Sequence, residues 1–199
     1  MNPGTKALLS APLLLTLYGT VRLVPGSRQP GPGWTIGHLA LFAGLLLLGI
    51  GLAEVHRRIR PRTAVGRTAA GAGLGATVLG VACSLGQAGI DLYVGAAAAD
   101  KAEQHAMFDR IQSHAGVVPA FYSAGPLLLY VGLLALAVGA AVVRRLPWWS
   151  PVLVFLASAL PAVTLDLLPV GGLLYLAAFA PLARPAGRVS ASGTPARAA

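Results

Sequence analysis

The stretch WTIGHLALFAGLLLLGIGLAEV, Trp34 to Val55, followed at once by HRRIRPR, His56 to Arg62, decides the fold. Its one charged residue, Glu54, stands at the far end. About 20 apolar residues in helical form cross the hydrocarbon core of a bilayer. A tryptophan at one end and an arginine cluster at the other are what the two membrane interfaces select. The stretch therefore reads as a transmembrane helix.

Similar runs recur outward from this one. The spans are expected at about 5–24, 34–55, 68–94, 117–143, 148–168 and 170–183, the last being the shortest. Lys6 ahead of an apolar run is also how a signal peptide begins, but no small-x-small cleavage site follows, so the run is kept as a helix. Residues 25–33 are a Pro/Gly-rich loop, and 184–199 form a Pro/Gly/Ser/Arg tail expected to be disordered. The fold class is thus all-α, a single integral membrane bundle of about six transmembrane helices over residues 1–183. Composition agrees: 56% of the 199 residues are hydrophobic and 11% charged, against about 25% charged in ordinary soluble domains.

The net charge of +9 does not point to nucleic acid. The basic residues sit in short loops between apolar runs, not on a groove-reading helix or an aromatic-interleaved patch. Placing the loop from Arg57 to Arg67 in the cytoplasm puts Lys6, Arg144, Arg145 and the arginines of the tail on the same side. Only Arg22, Arg28, Lys101 and Arg110 fall outside. Both termini are then cytoplasmic and the protein lies in the cell membrane as a multi-pass chain.

The connection from Ala96 to Gly116 carries Met107, Phe108 and Ile111 on one helical face and charges on the other. An amphipathic helix over about 97–113 is expected on the outer membrane surface, as a strap between spans or a lid over an outward-facing cavity. An internal echo links Gly37-His38-Leu39 to Gly125-Pro126-Leu127, with arginine pairs following at Arg57-Arg58 and Arg144-Arg145. If the helical hairpin is duplicated about an axis along the membrane normal, Asp91 and Asp166 stand at equivalent depths.

Ionisable side chains within spans are costly and mark candidate sites. Glu54 is three and four residues from Arg57 and Arg58, the spacing of a local ion pair. Asp91 borders a stripe of small residues, Ala72, Ala76, Gly80, Ser84 and Ala88, of the kind that packs closely on another helix. It should face the bundle interior, with Gln87 one turn below. Asp166 follows Ala159 and Ala162 at helical spacing. Trp34, His38, Tyr93, Tyr122, Ser123 and Thr164 reach the same outer level, so a polar pocket in the outer half of the bundle is expected. Asp91 and Asp166 are its candidate catalytic groups, and Trp34, His38, Gln87, Tyr93 and Tyr122 its candidate substrate contacts. Arg22 is a rival partner for either aspartate, which would make the cluster a structural ion pair.

No metal or cofactor is implied. His105 and His114 match no metal-binding spacing. The lone Cys83 forms neither an internal disulfide nor a CxxC centre and reads as a small packing residue. P-loop, HExxH and GxSxG motifs are missing from the sequence.

A carboxyl group buried among apolar side chains is held neutral and can act as a general acid. Protonation of an alkene or epoxide, followed by cation stabilisation on aromatic faces, is one reaction such a pocket supports. In size, helix count, lack of cofactor motifs and intramembrane acids, residues 5–183 resemble the small integral-membrane terpene cyclases; in stretches such as Gly37-His38-Leu39 and Ile90-Asp91-Leu92 they also resemble a broad set of small polytopic membrane proteins. The resemblance implies acid-initiated cyclisation of an isoprenoid-type, lipid-soluble substrate drawn from the bilayer. It matches no cyclase motif residue by residue, and the aspartate-rich motif of soluble terpene cyclases is missing. The alternative is a small proton-coupled transporter or an accessory membrane subunit without catalysis, and a purely structural membrane protein is a third reading.

Overall fold

The computed structural model describes residues 2–183; the tail expected to be disordered, 184–199, lies outside the described residues. Seven α-helices follow one another among the described residues: α1 (Pro3–Leu23), α2 (Pro32–Arg58), α3 (Ala64–Ala97), α4 (Lys101–Gln112), α5 (Ala124–Val142), α6 (Ser150–Val163) and α7 (Leu168–Phe179). A π-helical turn, Val118–Ser123, leads into α5, and 3-10 turns flank α7 at Leu165–Leu167 and Ala180–Ala183. No strand occurs among the described residues.

The helix starts follow from local chemistry. Asn2 accepts the Thr5 amide of α1 (2.8 Å) with Pro3 in the first turn, and Thr63 accepts the Gly66 amide of α3 (3.1 Å). At α4 the Asp100 carboxylate takes the Glu103 amide (2.9 Å) while the Glu103 carboxylate takes the Ala99 amide (2.7 Å), a reciprocal closure of the first turn.

Among the described residues, four helical stretches are long and apolar enough to cross a membrane: Pro32–Arg58, Ala64–Ala97, Val118–Val142 and Leu165–Ala183. Six helices form a closed ring in the order α1, α2, α3, α5, α6, α7, with α7 returning to α1. They alternate in direction. Trp34 at the start of α2 bonds to the end of α3, whereas Arg58 at the end of α2 bonds to Thr5 at the start of α1 and to Leu182. The outer face of the ring is apolar: Leu39, Ile50, Leu127, Val131, Phe155 and Leu173 are each more than half exposed. A water-soluble monomer rarely tolerates that much apolar surface; a bilayer requires it.

Between helices in lipid, attraction comes from close packing and buried hydrogen bonds, since lipid tails are as apolar as leucine. Glycines supply the close approaches. A Cβ on Gly51 would fall on the Leu8 backbone, one on Gly80 on the Leu129 backbone, and one on Gly172 on Pro12 and Thr16. Glu54 clamps one end of the ring. Its carboxylate accepts from Asn2 (2.7 Å), Arg57 (2.8 Å) and Arg58 (3.0 Å). The local ion pair expected in α2 is present; it extends to the start of α1 through Asn2 and, through Arg58, to the 3-10 turn after α7.

Three expectations need correction. The fifth span does not run from 148 to 168. Helix α6 ends at Val163, Thr164 is extended, and the last apolar stretch starts at Leu165 instead of 170. Pro161 weakens the last turn of α6, and Pro169 in the first turn of α7 favours a new start there. The small-residue stripe of α3 is also rotated at its first end. Ala72 is exposed and Ala76 half-buried, while Gly73 and Thr77 are buried; Gly80, Ser84 and Ala88 face inward as expected. A strict four-residue spacing drifts by about 40° per step around a helix of 3.6 residues per turn, so a stripe of five cannot stay on one face. Finally, the surface helix is shorter than 97–113, because α3 runs on to Ala97 before Asp100 caps α4.

Candidate functional site

Two features meet at the end of the ring where α1 ends and α2 begins. The first is a cluster around Asp91. The last turns of α3 carry Asp91 inward, 7% exposed, against His38 of α2, 4% exposed. The Asp91 carboxylate lies 3.6 Å from His38 Nε2. The other ring nitrogen, Nδ1, is 2.8 Å from the Trp34 carbonyl oxygen. A carbonyl only accepts, so Nδ1 carries a hydrogen. Nε2 then faces the carboxylate either as an imidazolium donor or as a bare acceptor opposite a carboxylic acid.

Trp34 locks the arrangement. Its indole nitrogen donates to the Asp91 carbonyl oxygen (2.7 Å), and its ring stacks on His38 with centroids 4.1 Å apart. Gly95 makes room, since a Cβ there would fall on the indole. Tyr18 of α1 meets the His38 ring edge-on at 5.2 Å, and Phe108 of α4 approaches Trp34 at 6.1 Å. Met107, Phe108 and Ile111 are half-buried, and Gln104 is only 2% exposed, so α4 lies over this end of α2 and α3. A narrow cleft of about 10 Å³ beside His38 is bordered by Tyr18, Arg22, Ser27 and Trp34.

The second feature is a cavity of about 190 Å³ inside the ring. Tyr18, Ser84, Gln87, Tyr130 and Tyr175 give it polar points, Leu and Pro side chains supply most of the rest, and none of its lining residues is charged. The Tyr175 and Ser158 hydroxyls are 2.7 Å apart, so both are satisfied. A groove of about 870 Å³ opens on the flank between α5 and α6, the least extensive contact in the ring. Gln87, Pro126, Tyr130, Pro161 and Leu165 line both spaces, so the groove and the cavity lie on two sides of the same side chains. The π-helical turn at Val118–Ser123 puts Tyr122 and Ser123 at the groove; such turns often mark functional positions.

The residues singled out in the sequence divide accordingly. Trp34, His38 and Asp91 come together. Gln87 and Tyr122 border the groove, and Gln87 reaches the cavity as well. Tyr93 is 61% exposed and lines neither. Asp166 is not brought to Asp91. It lies in the 3-10 turn beyond α6, half-exposed, in an ion pair with Arg28, not Arg22. The two aspartates also differ in local setting: Asp91 lies within α3, and Asp166 lies past the end of α6. Tyr18, Tyr130, Ser158 and Tyr175 escaped the reading of the sequence, and Ser84 was read only as part of the packed stripe. A tyrosine on an otherwise aliphatic helix was the available signal, but its facing was not. Cys83 packs against Gly125, and among the described residues no three His, Cys, Asp or Glu side chains gather as metal ligands would.

No protein-family model, curated protein or solved structure matches the chain.

Proposed function

We propose that this chain is a six-span protein of the cell membrane, with both termini cytoplasmic, that takes a lipid-soluble isoprenoid-type molecule from the bilayer and cyclises it by acid-initiated chemistry. Four spans follow from length and hydropathy. The other two are α1, whose 21 residues reach roughly 30 Å, and α6, whose 14 reach roughly 20 Å at 1.5 Å per residue. Each sits in the ring between two of those four spans.

The observation that carries the reading is the uncharged cavity adjoining a flank groove. A lipid-soluble substrate reaches such a site sideways, without leaving the hydrocarbon. The cavity of about 190 Å³ falls short of the ~300–1,000 Å³ usual for small-molecule sites. Taken with the groove of about 870 Å³ it suffices, so the reacting end sits in the cavity and the chain trails toward lipid. Three of the five tyrosines, Tyr18, Tyr130 and Tyr175, border the cavity. Their ring faces suit a developing carbocation.

Asp91 and His38 do not line the cavity. Tyr18 borders the cavity and also meets the His38 ring. In the proposed reaction the Asp91 carboxyl is the proton source: Tyr18 takes that proton by way of His38 as it gives its own hydroxyl proton to the terminal alkene or epoxide. The ring closes on the cation, and loss of a proton to the same relay ends the cycle with no change of mass.

The test is turnover by membranes bearing the wild type, Asp91→Asn or Tyr18→Phe, given linear prenylated compounds and their terminal epoxides. A product of unchanged mass and new retention time is expected from the wild type. General-acid contributions run to about 10²–10⁴-fold, and both variants should lose activity on that order while inserting normally. Undiminished turnover in Asp91→Asn would remove the acid assignment. A folded wild type that binds such compounds without converting them would favour transport or an accessory role.

A further inference from the structure

At the end of the ring opposite the Asp91–His38 pair, the loop after α2 faces the turn after α5. Arg60 and Arg62 come from the first, Arg144 and Arg145 from the second, and between them is a cleft of about 650 Å³ with Val142 and Val143 along its wall. Arg58 also borders it, but its guanidinium is committed to Glu54, Thr5 and Leu182. The other four arginines take part in no ion pair among the described residues. Four like charges thus face one cleft with no acidic side chain to offset them.

The backbone adds a second observation. Arg144 has φ 58°, the left-handed conformation, while the Arg145 and Leu146 amides both bond back to Ala140 (2.8 and 3.2 Å). This is the helix-ending position that glycine usually fills, because a Cβ there is strained. An arginine is held where glycine would fold more easily, which points to a use for its side chain.

The level of the cleft indicates the ligand. Val142, 77% exposed, ends an apolar span, and Trp148, 81% exposed, follows just past the turn in the manner of an interfacial anchor. The cleft therefore sits where apolar flank gives way to polar loop, the depth at which a bilayer holds its phosphates. Guanidinium groups match phosphate oxygens in pairs, and basic clefts between helices at this level suit anionic headgroups. We propose that this cleft binds the phosphate of an anionic phospholipid, with the arginines on the headgroup and Val142 and Val143 against the start of the acyl chains. The inference rests on the membrane placement and is independent of the reaction proposed at the other end.

The test uses the purified full-length protein in non-ionic detergent at constant ionic strength. Thermal unfolding is followed with added dioctanoyl phosphatidylglycerol, dioctanoyl phosphatidylcholine or inorganic phosphate. Phosphatidylglycerol should raise the midpoint and phosphatidylcholine should not. Arg60→Gln, Arg145→Gln and Arg144→Gly should each weaken the apparent affinity about fivefold, from ~1 kcal/mol per basic side chain near an anionic headgroup. Arg144→Gly separates charge from fold, because its unliganded midpoint should stay level or rise. A response to inorganic phosphate alongside the lipid fits a phosphate-directed site. A response to inorganic phosphate alone would assign a soluble ligand and overturn the lipid. Equal shifts with both lipids, no shift with either, or wild-type affinity in all three variants would also overturn the proposal.

Discussion

Asp91 and Asp166 carry the same functional group into different surroundings. Asp91 is enclosed by His38, Trp34 and the packed end of α3, whereas Asp166 and Arg28 each keep half of their side-chain surface exposed. Exposed ion pairs contribute about 0–1 kcal/mol. Arg28→Ala and Asp166→Asn should therefore each lower stability by less than about 1 kcal/mol in denaturation and leave turnover near wild type. Loss of activity in Asp166→Asn with the fold intact would return that residue to the site. The facing of Asp91 was legible, because Ser84 and Ala88 placed it on the packed side of α3. The partner of Asp166 was not. Arg28 is 138 residues away, and the pairing depends on how two loops meet at one end of the ring.

Helices α3 and α5 are held close by what their glycines lack. Gly80 meets the Leu129 backbone and Gly132 meets Thr77, whereas nothing lies within 4 Å of the Cβ position of Gly89. Gly80→Val should force the two helices apart at a cost of about 1–3 kcal/mol. Gly89→Ala should be neutral or stabilising by up to about 1 kcal/mol, from helix propensity alone. Denaturation of the two variants side by side checks the contrast, and equal effects would remove the close-packing account. Small residues every four positions announced a packed α3, yet the inward face at its start is Gly73 and Thr77. Spacing reveals that a face exists; the neighbouring helix selects the face.

The closed ring has one loose seam, between α5 and α6, and the groove there is the entry on which the proposed activity depends. Ala159 borders it and is half-buried. Ala159→Trp should fill the groove and slow turnover several-fold while the unfolding midpoint holds, since the added ring lies on the flank. Unchanged kinetics would mean that substrate enters elsewhere. Orientation has its own test, helped by the single cysteine. In a Cys83→Ala background, Lys101→Cys should react with an impermeant maleimide on intact cells, and Arg62→Cys only after permeabilisation. The reverse pattern would invert the topology and with it the side on which each cleft opens.

Apolar runs, interfacial Trp and clustered Arg are enough to make this chain an all-helical membrane protein, because a bilayer tests each segment by length and polarity one at a time. The same local logic placed most helix ends within a few residues and turned Asp91 inward. It failed at the α6–α7 junction, where two prolines and an extended Thr164 redivide one apolar stretch. The cavity, its three tyrosines, the groove and the arginine cleft belong to the assembled ring. Each is made by side chains from several helices or loops, and the rotation of a helix about its axis is set by the backbones it packs against, which no single segment encodes.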